Sequence, residues 1–336
     1  MSHLPRASLA TIAAAVVLAV TVSCQSAQQP GAASSPSPSP DTAQGGPSAA
    51  EWKELGKTFM FEGHPVFYVD QGSGMVTLAI HGYPTSSWDF RRLLAPLSRD
   101  SRLIAPDLLG FGYSAKPADI DYTIARHADM VAALGKHLGL TRARLIGSDI
   151  GNAVVQELLA RERSAELPFA IDSVALINGS LFAEQFTPNM TQKALLSPLG
   201  GIVNWSASQS ALAKSLAEIT GPDRRIPASE LATTWQLLDH PAGSRLMHKT
   251  LPKPAERAAN DARWTDALCG STTPVKLIVG AADPTAGKSM AEAIAGKCGG
   301  ARPFSVSRIE KAGHFPHVEY AEETAAAILA WRAGGY

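Results

Sequence analysis

Residues 145–153 read Leu145-Ile146-Gly147-Ser148-Asp149-Ile150-Gly151-Asn152-Ala153. An apolar run ends in a turn with glycines two residues to either side of a central residue, and a helical pattern (152–161) starts at once. A strand that reverses into a helix this sharply strains its central residue. Only small neighbours fit beside it, and the central side chain is left exposed at the tip. Serine is the usual occupant. Here Ser148 stands one place early and Asp149 holds the centre, so the register makes the nucleophile a carboxylate. Ser148 as nucleophile would lack the glycine two residues later.

Outward from this turn, short apolar runs alternate with helical patterns. Strands are expected at 66–69, 75–80, 102–106, 143–146, 174–177, 275–279 and 304–309. The first two read as a hairpin through Gln71-Gly72-Ser73-Gly74. Helical patterns lie at 122–138, 152–161, 286–296 and 321–331. Most of the strands are continuously apolar, as strands buried on both faces must be. The alternation predicts an α/β fold with a mostly parallel sheet flanked by helices. Between Asn178 and Val275 the rhythm breaks into helical, proline-punctuated sequence. An insertion there would sit over the carboxyl edge of the sheet, where ligands bind in such folds. The domain reading is therefore a core of 51–180 and 266–336 with a cap of 181–265.

Other chemistry-bearing residues follow predicted strands. His81-Gly82-Tyr83-Pro84 follows 75–80 and places Tyr83 N–H as one oxyanion donor, with Ile150 N–H as the second. Asp283, in Gly280-Ala281-Ala282-Asp283-Pro284, follows 275–279 and reads as the orienting acid. His314, in Ala312-Gly313-His314-Phe315-Pro316, follows 304–309 and reads as the base. Asp283 is also placed to cap the next helix, and His317 is a local rival to His314. The order nucleophile, acid, histidine, each at a strand end, makes Asp149, Asp283 and His314 one catalytic set.

The motifs HGYPTSSWDF, APDLLGFGYSAKP, GSDIGNAVVQELL, GAADP and AGHFPHVE resemble those of the epoxide hydrolases and haloalkane dehalogenases of the α/β-hydrolase superfamily. The resemblance runs furthest with the mesoderm-specific transcript proteins, through PTSS, DLLGFGYSAKP, VVQELL and Ile177-Asn178-Gly179-Ser180-Leu181-Phe182. It implies an α/β-hydrolase fold and an alkyl ester formed on Asp149, hydrolysed by water that His314 deprotonates, with no cofactor and no metal. The implied substrate is a small apolar molecule with an electrophilic carbon, and water is the second reactant. A carboxylate attacking an acyl carbon would give an anhydride, whereas attack on a saturated carbon gives a stable ester.

The leaving group is less legible. Halide donors of the usual kind would occupy the positions of Tyr83 and Ile150, and neither side chain supplies them. No tyrosine falls in the cap. The remaining cap candidates are Trp205, Trp235 and Trp264 as donors and His240 or His248 as proton donor, although such tryptophans are more often packing and such histidines more often surface residues. The preferred reading is epoxide hydrolysis. Haloalkane dehalogenation is the alternative, and a hydrolase-like binding protein with little turnover is a third.

Composition bounds the rest. The 336 residues are 45% hydrophobic, and 30 basic against 30 acidic side chains leave no net charge. Nothing here points to nucleic acid as a partner. Residues 1–23 have the charged start, short apolar run (Leu9 to Val22) and small-residue end of a secretory signal. Thr21-Val22-Ser23-Cys24 resembles a bacterial lipobox, with Cys24 as lipidation site. Residues 24–50, rich in Ser and Pro, read as a disordered tether. The expected location is outside the cytoplasm, either membrane-anchored through lipid alone or secreted. Cys269 and Cys298 then form a candidate disulfide, worth roughly 3 kcal/mol in the chain-entropy model.

Overall fold

The computed structural model describes residues 45–285, 287–299 and 304–336. The expected signal segment, Cys24 and most of the tether lie outside them. Eight strands form one sheet among the described residues: β1 (Gly56–Phe61), β2 (His64–Gly72), β3 (Met75–Ile80), β4 (Ser101–Pro106), β5 (Arg142–Ser148), β6 (Ala170–Ile177), β7 (Val275–Gly280) and β8 (Ser305–Ile309). Their spatial order is β1-β2-β4-β3-β5-β6-β7-β8. Every pairing from β4 to β8 is parallel, and β2 runs antiparallel to both β1 and β4. The helices are α1 (Ala49–Glu54), α2 (Arg91–Leu97), α3 (Ile124–His137), α4 (Ile150–Arg163), α5 (Met190–Leu196), α6 (Gly200–Val203), α7 (Gln209–Ile219), α8 (Ala228–Asp239), α9 (Met247–Thr250), α10 (Pro254–Gly270), α11 (Gly287–Cys298), α12 (Pro316–Glu319) and α13 (Ala321–Ala333).

Alternation along each strand feeds two cores. Leu78, Ile80, Leu145, Val174, Leu176 and Leu277 face one way, against Leu134 of α3, Leu158 of α4 and Leu268 of α10. Ala79, Ile146, Ala175, Ile177 and Ile278 face the other, against Trp52, Leu93 and Ile328. Neighbouring residues of one strand thus serve opposite cores, which the period of two requires.

The expected hairpin between 66–69 and 75–80 does not form. The hairpin is β1 with β2, turning at Glu62 and Gly63, both at positive φ (48° and 80°). β3 is instead inserted between β4 and β5. Its last five residues are buried, and a strand that apolar needs a neighbour on both edges and cover on both faces.

Residues before the expected end of the tether at residue 50 are already built into the fold. Ser48 caps α1 in a reciprocal capping box with Glu51, and the Trp88 indole donates to Pro47 O at 3.0 Å. In the cap region, Leu212 and Leu216 of α7 and Leu238 of α8 pack with Phe315 and Val318. Helix α10 lies partly within the expected cap of 181–265, but its Trp264, Ala267 and Leu268 are part of the core beside α4.

Cys269, at the end of α10, and Cys298, at the end of α11, form a disulfide. Replacing both by alanine should lower unfolding free energy by about 3 kcal/mol, read from denaturant unfolding with the slope fitted separately for each protein, since opening the denatured chain raises it. A loss under about 1 kcal/mol would show that the bridge constrains little.

Candidate active site

The carboxyl ends of β3, β5, β7 and β8 carry the loops that matter. Asp149 follows β5 directly, with φ 51° and ψ −114°, outside the regions that side chains prefer. The glycines explain how this is tolerated. A Cβ on Gly151 would sit 2.1 Å from Ile80 O, and one on Gly147 would sit 2.8 Å from the Asn152 side chain. Any larger residue would push α4 off β3. The turn holds the Asp149 side chain up from the sheet edge, 24% exposed.

Tyr83 N–H donates to Asp149 Oδ2 at 2.8 Å. Ile150 begins α4, so its N–H has no intrahelical acceptor, but no hydrogen bond joins it to Asp149 among the described contacts. The second expected donor is adjacent and unused.

His314 Nδ1 lies 2.8 Å from Asp283 Oδ2, and its Nε2 lies 3.8 Å from Asp149 Oδ1. The second separation is longer than a direct hydrogen bond but within ion-pair distance when the ring is protonated. Asp283 Oδ1 accepts from the Thr285 hydroxyl at 2.7 Å and from Thr285 N–H at 2.8 Å, so its free oxygen is fixed. Burial pushes the His314 imidazole toward neutrality, but the Asp149 and Asp283 carboxylates outweigh it and hold its pKa up at about 10. For Asp283, burial acts upward and is outweighed by the hydrogen bonds from His314 and Thr285, leaving its pKa below the ordinary value.

Three residues that build the site are assigned no role by the sequence, although Asn178 and Glu319 lie inside motifs that carry the family resemblance. Asn178, fully buried at the end of β6 with φ 28°, donates to Gly313 O at 2.8 Å and accepts from Gly280 N at 2.9 Å. Its carbonyl also accepts from Asp149 N–H at 3.2 Å. One side chain and its own peptide therefore tie the Asp149, Asp283 and His314 loops together. Glu319 accepts from Gly313 N at 3.0 Å, Phe315 N at 3.0 Å and Gly221 N at 2.6 Å. Burial raises its pKa and the three amides work against that. Thr285 is the third such residue. Each is a common polar residue whose importance lies only in what the fold brings to it.

The remaining expectations separate clearly. His317 is fully buried against Phe90, with a ring-centroid distance of 5.2 Å, and burial drives its pKa to about 3, so it stays a neutral core residue. The five cap candidates are not brought to Asp149. Trp264 spends its indole N–H on Glu157 Oε2 at 2.8 Å, and Trp205 is 73% exposed beneath the Arg245 guanidinium. Trp235 packs in the small cap core. His248 pairs with the Asn204 amide, and His240 lies edge-on to Tyr113 at 5.5 Å. A shallow depression lined by Thr85, Trp88, Asp89, Phe315 and Val318 flanks the His314 loop but includes none of Asp149, Asp283 or His314.

The sequence candidates do not include one buried donor, the side chain of Tyr83. The Tyr83 hydroxyl is out of solvent contact and has no hydrogen-bond partner. Burial and then the Asp149 charge push its pKa upward, so it is a protonated phenol within electrostatic reach of Asp149.

The family model described as alpha/beta hydrolase fold matches residues 78–321. The chain belongs to this family. It is 36% identical over 254 residues to the human mesoderm-specific transcript homolog protein, spanning 71% of this chain and 74% of that one. It is 32% identical over 280 residues to a haloalkane dehalogenase of Mycolicibacterium paratuberculosis, spanning 79% and 86%. Among solved structures, epoxide hydrolase CorEH superposes with a TM-score of 0.66 at 18% identity, covering 84% of this chain and 99% of the other. The resemblance to the superfamily expected from the motifs is thus met, as is the fold, and the protein is a hydrolase-fold member with enzyme relatives.

The coupling within the site is measurable. Asp149→Asn should move the His314 imidazole titration, followed by NMR, well below the native midpoint near 10. An unchanged midpoint would mean that Asp149 does not act on the ring. A histidine raised from an unfolded value near 6.5 adds stability that is fully present below pH about 6.5 and is lost as pH rises through about 10. Denaturant midpoints should decline across that window in the native protein.

Proposed function

We propose that this protein hydrolyses epoxides through an alkyl ester on Asp149. The observation that carries the reading is the position of Asp149: central residue of the elbow, with one carboxylate oxygen on the Tyr83 amide and the other facing His314 Nε2.

In this reading Asp149 Oδ1 attacks a ring carbon and the C–O bond breaks onto the ring oxygen, which takes the Tyr83 hydroxyl proton. General acid help of this kind is typically worth about 10²–10⁴-fold. Attack converts the Asp149 charge into a neutral ester, so His314 loses one of the two carboxylates that kept it protonated and its pKa falls. The proton it releases restores the Tyr83 hydroxyl through solvent. Neutral His314, oriented by Asp283, then takes a proton from water as the hydroxide adds to the ester carbonyl. The Tyr83 amide holds the resulting oxyanion, a contribution of about 3 kcal/mol per donor. Collapse releases the diol, the carboxyl proton passes to the diol oxygen, and His314 ends protonated as it began.

What favours an epoxide over a halide is the unpartnered phenol, since an opening ring needs a proton and a departing halide does not. The 32% identity to a haloalkane dehalogenase supports halide displacement as the second reading.

A single trapping experiment tests both. His314→Gln incubated with epoxide and haloalkane panels should gain mass on the Asp149 peptide equal to the whole epoxide. A gain of the alkyl group alone, from a haloalkane, would replace the first reading with the second. Ligand binding with neither gain would leave a non-hydrolytic binding protein. Adding Tyr83→Phe should slow ester formation from epoxides by about a hundred-fold.

We propose further that Cys24 carries lipid and that the domain is exported. Expressed in a bacterial host, the native chain should partition with membranes and Cys24→Ala should not. Equal partitioning of both would overturn the anchor.

A further inference from the structure

Among the described residues, one buried arginine has no evident use. Arg257, on the first turn of α10, is 4% exposed. Other buried arginines are accounted for: Arg91 pairs with Glu230, and Arg332 donates to Thr77 at 2.9 Å with Asp100 alongside. Arg257 makes no ion pair among the described residues. Its Nη2 donates to Ser180 O at 2.8 Å, while Nε and Nη1 are both out of solvent contact and without a hydrogen-bond partner. Burying an unpaired cation is costly, and unused guanidinium donors add to the cost. A fold that keeps such a group has a partner for it to meet.

Its location says what kind of partner. Ser180 follows Gly179, whose φ is 110° and whose Cβ, if it had one, would lie 2.7 Å from Asp149 Cα. The carbonyl that anchors the guanidinium therefore belongs to the segment packed against the nucleophile's own backbone. The Phe186 ring lies 5.8 Å from the guanidinium carbon. Burial lowers the Arg257 pKa, and of the nearby acids that oppose this, Asp149 has the largest effect.

We propose that Arg257 binds a carboxylate of the substrate, an apolar molecule that carries this anion as well as its electrophilic carbon. A leaving group fits worse: in-line attack sends it away from Asp149, whereas Arg257 stands on the nucleophile's flank. A guanidinium also has no readily given proton for a departing alkoxide. The planar fork suits the planar oxygens of a carboxylate, and a monoanion tolerates Asp149 nearby better than a phosphate dianion. The substrate class named here rests on the alkyl-ester reading; the anion site does not.

Binding by unreactive probes separates the two. Decanoate has no electrophilic carbon, so its affinity reports on Arg257 whether or not Asp149 forms an ester. By calorimetry on the full native chain, decanoate should bind about ten- to a hundred-fold tighter than decanamide. Arg257→Met should abolish that preference, and Arg257→Lys should keep part of it. Without ligand, Arg257→Met should melt no lower than the native protein, since it removes a buried unpaired charge. Equal binding of the two probes to the native chain, no binding of either, or a preference that survives in Arg257→Met would each overturn the proposal. Should Arg257→Met fail to fold, the native comparison and Arg257→Lys decide.

Discussion

The site depends on the contact between Gly151 and the end of β3. With only 2.1 Å between the position of a Cβ and Ile80 O, α4 can start where it does only because that atom is missing. This closeness forces Asp149 into positive φ and brings it within 2.8 Å of the Tyr83 amide, which leaves the same strand end three residues later. Two backbones pressed together thus set the distance between a carboxylate and its hydrogen-bond donor. Side-chain packing elsewhere stabilises the arrangement but does not choose it.

Asn178 extends that order sideways. It stands where β6 ends, between the strands that deliver Asp149 and Asp283, and bonds to peptides of the acid and base loops. Two loops far apart in sequence are registered by one side-chain amide, which donates and accepts at fixed angles, and the third by the same residue's backbone carbonyl. Loops alone rarely hold catalytic groups within tenths of an ångström, and a buried side chain that saturates their backbone groups is one way a rigid scaffold supplies the missing precision.

Much of this was legible in the sequence for a physical reason. Residues 147–151, and the strand ends before Tyr83, Asp283 and His314, are positions where local geometry dictates residue type, so type reveals geometry. Continuous apolarity likewise betrayed the central strands. The hairpin failed because apolar alternation gives a strand's faces but not its neighbours, and β3 is joined in space to segments remote in sequence. The cap tryptophans and histidines misled because a donor is defined by what it faces, and Trp264 faces Glu157. The sequence marks Tyr83 for its amide, and nothing in it distinguishes the Tyr83 hydroxyl or Arg257. Only burial without partners sets those two apart, and burial is a property of the assembled fold.

Glu319 has a mechanical consequence. Its two oxygens collect the amides of Gly313 and Phe315, on either side of His314, together with that of Gly221 from the cap, and His314 N–H itself donates to Ile219 O at 2.8 Å. Roof and base are thus laced through one buried carboxylate. The cap cannot swing open at the end of α7 like a door without dragging the imidazole off its station. This edge of the cap region is better regarded as part of the frame that holds the imidazole in place.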